Sequence, residues 1–168
     1  MSIAKISPIF PTAFNNTVSL MELARNAVGE GNYYNISLSI PFDKLEYTRG
    51  GGNIMLPVLV TSALWETVKK FAGSLLAENY ILGDVGELAQ FTAQYPSEVA
   101  KYSSVFALNE NSRWSNSDKD ICVAYTSVKG FKRCFKSYRF DHLLNMEDAV
   151  IVFQQAEHRI LAPVAQVL

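Results

Sequence analysis

The sequence predicts an α+β fold in which amphipathic helices pack on a mainly antiparallel sheet. Apolar residues recur at helical spacing in the first 100 residues, and they form alternating or continuous short runs in the last third. The 168-residue chain is 49% hydrophobic and 18% charged, so it is rich in core-forming side chains. We expect one domain over 1–168, with a helical or mixed part over about 1–104 and a β-rich part over about 105–168.

The first helix is predicted over residues 17–28. Apolar side chains recur there at helical spacing, Ser19 and Glu22 have the separation of a capping box, and Gly29 follows the last apolar residue. Residues 33–42 then alternate between apolar and polar types, which predicts a strand with one buried and one wet face. The apolar side of that strand would carry Tyr34, Ile36, Leu38, Ile40 and Phe42.

A strand and a long helix are predicted next. The run IMLPVLV at 54–60 predicts a strand at the edge of the sheet, because Pro57 has no N–H to donate to a neighbour. Residues 62–79 carry one continuous apolar stripe at helical spacing, with Glu66 four residues before Lys70 on the opposite side. This stripe predicts a core helix packed on the sheet.

Another helix is predicted to begin after Asp84, with Glu87 as its capping-box partner, and to end before Pro96. The sequence VFAL at 105–108 predicts extended backbone. Residues 109–120 are polar and contain neither Gly nor Pro, which predicts an exposed loop rather than a tight turn.

The last third of the chain is predicted to form a sheet. Its candidate strands are 120–128, 131–140, 149–155 and 159–167. VKGF at 128–131 predicts a hairpin turn in which Gly130 adopts a positive φ. These strands predict a meander or a small barrel.

The hairpin sequence resembles part of a known family. ICVAY followed by RCFKSYRF resembles the end of a WYL domain, an Sm-like barrel whose strands carry an Arg-x-Phe-x-x-x-Arg pattern. Arg133, Phe135 and Arg139 match that pattern over a stretch of about 20 residues, while the Trp-Tyr-Leu triplet of the family is absent. The resemblance implies a small barrel at the C-terminus, and no function is carried over from it.

Charge, cysteine content and motifs exclude several classes of function. The net charge of −1 provides no overall attraction to nucleic acid or anionic lipid, and no stretch reaches the ~18 apolar residues of a membrane span. With two cysteines and no visible secretory signal, we expect a cytoplasmic protein without a membrane partner. The glycine run at 49–53 matches neither the P-loop nor the dinucleotide motif, so no cofactor is predicted.

No metal site and no catalytic residue is predicted. The candidate ligands, which lack the close pairing that zinc sites use, are Cys122, Cys134, His142 and His158. A two-residue hairpin turn would place Cys122 opposite Ser137 and Tyr125 opposite Cys134, so the two cysteines would point to opposite faces of the sheet. The nucleophile and metalloprotease motifs G-x-S-x-G, C-x-x-C and H-E-x-x-H are absent.

The segment FKRCFKSYRF at 131–140 combines four basic and four aromatic residues in ten positions. On a strand its charges divide between the two faces, with Lys132 and Lys136 on one and Arg133 and Arg139 on the other. Such a strand either lies near a sheet edge with its basic stems over apolar neighbours, or presents aromatic and basic groups to nucleic acid.

We therefore predict a non-catalytic binding protein that contacts another protein or further copies of itself, as an inhibitor or assembly component of viral or mobile-element type. The first alternative is a module that binds single-stranded nucleic acid through the hairpin at 129–140. The second is an enzyme whose site is assembled from residues distant in sequence. The residues assigned to the nucleic-acid alternative are Lys129, Phe131, Lys132, Arg133, Phe135, Lys136, Tyr138 and Arg139.

Overall fold

The computed structural model describes residues 5–14, 18–47, 53–55, 57–61, 80–140 and 147–154. The helices are α1 (Leu20–Val28), α2 (Val85–Gln94) and α3 (Pro96–Val99). The strands are β1 (Lys5–Ile6), β2 (Thr12–Phe14), β3 (Asn53–Met55), β4 (Pro57–Thr61), β5 (Tyr80–Leu82), β6 (Val105–Ala107), β7 (Trp114–Ser115), β8 (Ile121–Lys129), β9 (Lys132–Arg139) and β10 (Ala149–Gln154). Short 3₁₀ turns occupy Tyr33–Asn35 and Glu110–Ser112.

Eight of the described strands form one open sheet. Its order is β1-β4-β10-β6-β8-β9, with β5 also pairing β10 and β7 also pairing β8. Only β6 and β10 pair in parallel among these strands, so the sheet is mainly antiparallel, as predicted. Strands β2 and β3 form a separate antiparallel pair. Because the sheet is open, the small barrel implied by the WYL resemblance is not formed by the described strands.

Both predicted capping signals lie at helix starts, and α1 begins at Leu20 whereas the predicted helix spanned 17–28. Ser19 accepts a hydrogen bond from the Glu22 backbone N–H at the start of α1, and Gly29 ends that helix with φ of 81°. At the start of α2, Asp84 and Glu87 form a complete capping box, each side chain accepting from the backbone N–H of the other. Local polar groups therefore fix both helix starts.

Both faces of the central strands are buried. Thr126 of β8 lies on the helical face, where its hydroxyl is 2.9 Å from that of Thr92 in α2. Phe135 of β9 packs on the same face in a cluster with α1. A second apolar cluster lies on the opposite face and is formed by β6 with the residue after it, by β8 and by β10; its buried members are Phe106, Leu108, Val123, Val150 and Val152. Burial on both faces explains the continuous apolar run of β10.

The predicted strand at 33–42 is wrong. The segment begins with the first 3₁₀ turn, makes a single parallel bridge at Ile36, and continues through turns. Tyr34 and Leu38 are exposed, while Ile36 and Ile40 are buried. The chain therefore turns so that residues four apart, rather than two apart, enter the core.

Two further expectations concern β4 and the chain outside the described residues. The edge position of Pro57 is wrong, because β4 lies between β1 and β10. Pro57 is instead the first residue of β4, a position that tolerates the missing N–H. The predicted helix at 62–79 and the predicted strand at 159–167 lie outside the described residues.

Candidate docking surface

The β8–β9 hairpin carries the residues that the sequence singled out. Lys129 pairs with Lys132, so the two-residue turn consists of Gly130 and Phe131. Gly130 has φ of 62°, as predicted, and stands at the first turn position, where a type II′ hairpin turn takes glycine. The predicted register is wrong by two residues, because Cys122 lies opposite Arg139.

The hairpin places the two phenylalanines of the segment in opposite environments. Phe131 is 99% exposed at the turn, whereas Phe135 is fully buried at 0% and its ring centroid lies 6.0 Å from that of Phe42. Phe135 is therefore a core residue that no base can reach. A strand with such a buried residue acts at least partly as scaffold.

The six other predicted site residues are spread over two faces of the hairpin. Lys129, Lys132, Tyr138 and Arg139 are exposed, and Arg133 and Lys136 are half-buried. Arg139 forms an exposed ion pair with Asp120 at 3.7 Å. Because successive residues of β9 point to opposite faces, the structure does not gather these side chains on one face of the sheet.

An aromatic cluster occupies the face of the hairpin opposite the helices. The ring centroid of Phe106 lies 5.3 Å from that of Tyr125 and 5.8 Å from that of Tyr138. Burial raises the pKa of the Tyr125 phenol, and the proximity of the Cys134 thiol adds to the rise. These rings contact one another edge-on or tilted, so they fill space between strands rather than present flat stacking faces.

The two cysteines do not meet. Cys134 lies opposite Ser127, which is five residues from Cys122, so the cysteines point to opposite faces of the sheet. Both are buried, and neither forms a disulfide. Within the described residues no group of three His, Cys, Asp or Glu side chains is arranged to hold a metal ion. His142 and His158 lie outside those residues.

A stretch of irregular chain, residues 32–39, runs along the outer edge of β9. At the hairpin turn, Asn32 Nδ2 donates a hydrogen bond of 3.1 Å to the carbonyl oxygen of Phe131. Farther along, the Ser37 backbone N–H donates to the carbonyl oxygen of Phe135 at 2.9 Å. This stretch occupies backbone groups of an edge strand that would otherwise be available to another chain.

Leu38 of this stretch and the residues that follow it form one wall of an open groove of about 370 Å³ at the start of α1. Its lining residues are Ser19, Leu20, Met21, Leu38, Ile40, Phe42 and Asp43. Leu20 and Ile40 are buried in its floor, and Leu38 is 86% exposed on its rim. Among the described residues of the lining, Asp43 alone is charged, and it is exposed. Such a groove can bind an apolar group and discriminate by charge at its rim.

The sequence did not identify this groove. Leu38 was expected in the core because it continues the alternation of 33–42, yet the turns after Ile36 place it on the surface. Nothing in the alternation separates the buried from the exposed apolar positions. Pro41, which comes directly after the buried Ile40, is the one local signal that regular structure stops there.

Comparison with protein-family models, with curated proteins and with solved structures finds no match to this chain. None of the helices described here has both the length and the apolar character required to cross a membrane.

Proposed function

We propose that this chain is a non-catalytic binding protein that contacts another protein through the groove at the start of α1. The observation that carries this proposal is the position of Leu38, 86% exposed beside a concave surface whose floor is apolar. A single exposed leucine needs no explanation in a folded protein. A protruding leucine next to an apolar groove, however, can be covered together with the groove by one segment of a partner protein.

The lining of the groove defines the chemistry of that partner. An apolar side chain of the partner would enter between Met21 and Phe42, and Leu38 would cover it from the rim. Asp43 favours a basic residue beside the apolar one, because opposite charges at an interface add specificity. An inhibitor or assembly component, acting in the cytoplasm, would use such a contact.

The proposal is tested by selecting ligands from a displayed library of random peptides against the wild-type protein. We expect enriched peptides to share an apolar residue next to Lys or Arg. Full burial of a leucine stabilises a contact by about 1.5–3 kcal/mol, so Leu38→Asp should weaken a selected peptide about 10- to 150-fold. Because Leu38 is exposed, the variant should keep the fold.

Phe131→Asp is the matched control, since it also replaces an exposed apolar residue by aspartate but lies outside the groove. It should bind the selected peptides like the wild type. Peptides that bind Leu38→Asp and the wild-type protein equally well would overturn the assignment of this groove. Sedimentation of the unliganded protein over a range of concentrations would show whether the partner is a second copy.

A further inference from the structure

A second surface, at the turn of the β8–β9 hairpin, gathers exposed aromatic side chains from two parts of the chain. Phe131 is 99% exposed, Tyr34 is 78% exposed and Tyr33 is 49% exposed. The hydrogen bond from Asn32 to the Phe131 carbonyl holds the 3₁₀ turn against the hairpin turn. We call Tyr33, Tyr34 and Phe131 the aromatic end of the molecule.

Lysines flank the aromatic end in an arrangement that costs stability. Lys129 and Lys132 are directly opposite each other across the hairpin, and like charges in opposing positions repel. The whole segment 129–139 contains no acidic residue. Lys129 donates to the Tyr102 carbonyl oxygen at 3.3 Å, and both lysine side chains remain exposed. A polyanionic ligand would relieve this repulsion.

Two arginines lie on the opposite face of the hairpin end from the lysines, on the side of the tyrosines. The Arg133 guanidinium lies beside Gly29, 3.9 Å from the position of a Cβ atom at that glycine. Arg25 lies 5.8 Å from the centroid of the Tyr33 ring, within the range of a cation–π contact. Arg25 also forms an exposed ion pair with Glu22 at 3.7 Å, and Glu30 is a further exposed acidic residue of the neighbouring chain. Three cationic side chains therefore lie near the aromatic end besides that ion pair; they are Lys129, Lys132 and Arg133.

We propose that the aromatic end binds single-stranded nucleic acid, independently of the groove. Unpaired bases would stack on Phe131 and Tyr34, and the lysines would contact phosphates, which is how sequence-tolerant single-strand binders combine aromatic and basic groups. In a duplex the bases are already stacked on one another, so exposed rings select the single strand. This surface differs from the strand face predicted from sequence, because Phe135 is buried and the ring of Tyr138 packs against Phe106.

The test is fluorescence anisotropy of a labelled oligonucleotide of about 12 unpaired nucleotides, a length that spans typical single-strand sites. With three cations at phosphates, affinity should fall about 20-fold between about 50 and about 200 mM salt. Loss of one stacking ring costs about 1–3 kcal/mol, so Phe131→Ala and Tyr34→Ala should each weaken binding about 5- to 150-fold. Both residues are exposed, so both variants should fold.

Charge and control variants separate specific binding from general attraction. Replacing Lys129 and Lys132 together by Gln should reduce the slope of log affinity against log salt by about 1.4. Leu38→Ala removes an exposed apolar side chain outside the aromatic end, and Lys101→Gln removes an exposed lysine outside it. Neither control should change the affinity by more than about twofold.

Three outcomes would overturn the proposal. They are the absence of binding at the lower salt concentration, equal losses in the control and the aromatic variants, and a Phe131-dependent affinity for phosphatidylserine vesicles without affinity for the oligonucleotide. The last result would assign the same chemistry to an anionic bilayer surface. If the aromatic end does not bind the oligonucleotide, the proposed protein contact is unaffected, because that contact uses Leu38 and the groove instead.

Discussion

Truncation of the two phenylalanines of the hairpin should change the free energy of unfolding by very different amounts. Phe135 is fully buried in the cluster that joins β9 to α1, and Phe131 is 99% exposed four residues away. Removing a buried phenylalanine ring leaves a cavity and costs about 3–5 kcal/mol, whereas a change at an exposed position alters stability by about 0.5 kcal/mol or less. We therefore expect Phe135→Ala to be severely destabilising and Phe131→Ala to be neutral.

Urea unfolding followed by tryptophan fluorescence measures this difference. With a denaturant slope near 2 kcal/mol/M, a loss of about 4 kcal/mol lowers the unfolding midpoint of Phe135→Ala by about 2 M. That loss is a large part of the 5–15 kcal/mol of a typical domain. Phe135→Leu keeps most of the side-chain volume, and its loss of about 1–2 kcal/mol remains measurable if the alanine variant fails to fold.

The reasoning about the two faces of β9 would be refuted by equal unfolding midpoints for Phe135→Ala and Phe131→Ala. It would also be refuted by a midpoint for Phe131→Ala lower than that for Phe135→Ala. Either result would mean that β9 does not pack on α1 as described.

Two further predictions concern the core and the tyrosines. Gly83→Ala should lower the free energy of unfolding by about 1–3 kcal/mol, because an added Cβ would lie 2.7 Å from Cγ2 and 3.0 Å from the backbone oxygen of Ile151. An unchanged midpoint in thermal melting would contradict this packing. Burial raises the pKa of Tyr125. Below about pH 10 its phenol is protonated in both the folded and the unfolded chain, so this group does not change the free energy of unfolding there. Above that pH the unfolded chain releases its proton first and stability falls, and Tyr125→Phe should reduce this fall in urea titrations between neutral and alkaline pH.

Elements specified by local sequence signals, polar or apolar, were predictable from sequence. The helix start at Asp84 is fixed by a capping box that involves residues three apart, so its partners are visible in the chain itself. The apolar run of β10 was likewise predictable, because a strand buried on both faces needs no alternation. In both cases tertiary structure adds to a preference that is already local.

The stretch at 33–42 was not predictable, because its conformation depends on β9. The alternation fits a strand, but only Ile36 makes a bridge to the edge strand, and the chain then turns away. The hairpin register was missed for a related reason. Phe131 looks like a strand residue in sequence, and its place in the turn follows from the position of Gly130 at the first turn residue.

The candidate surfaces were harder still to predict, because each joins segments distant in sequence. The groove unites the start of α1 with residues 38–43, and the aromatic end unites Tyr33 and Tyr34 with Phe131. Sequence identified the basic hairpin but assigned it Phe135, whose burial depends on packing against α1. Exposure, rather than residue type, separates the proposed sites from the scaffold.

The most direct test of the groove as a docking surface is a two-dimensional amide spectrum of the isotope-labelled protein, recorded while a library-selected peptide is added. We expect the amide signals of residues 19–21, 38–40, 42 and 43 to shift in proportion to the bound fraction, and these shifts should be lost in Leu38→Asp at the same peptide concentration. Shifts that avoid both segments, or that persist unchanged in Leu38→Asp, would contradict a protein contact at this groove.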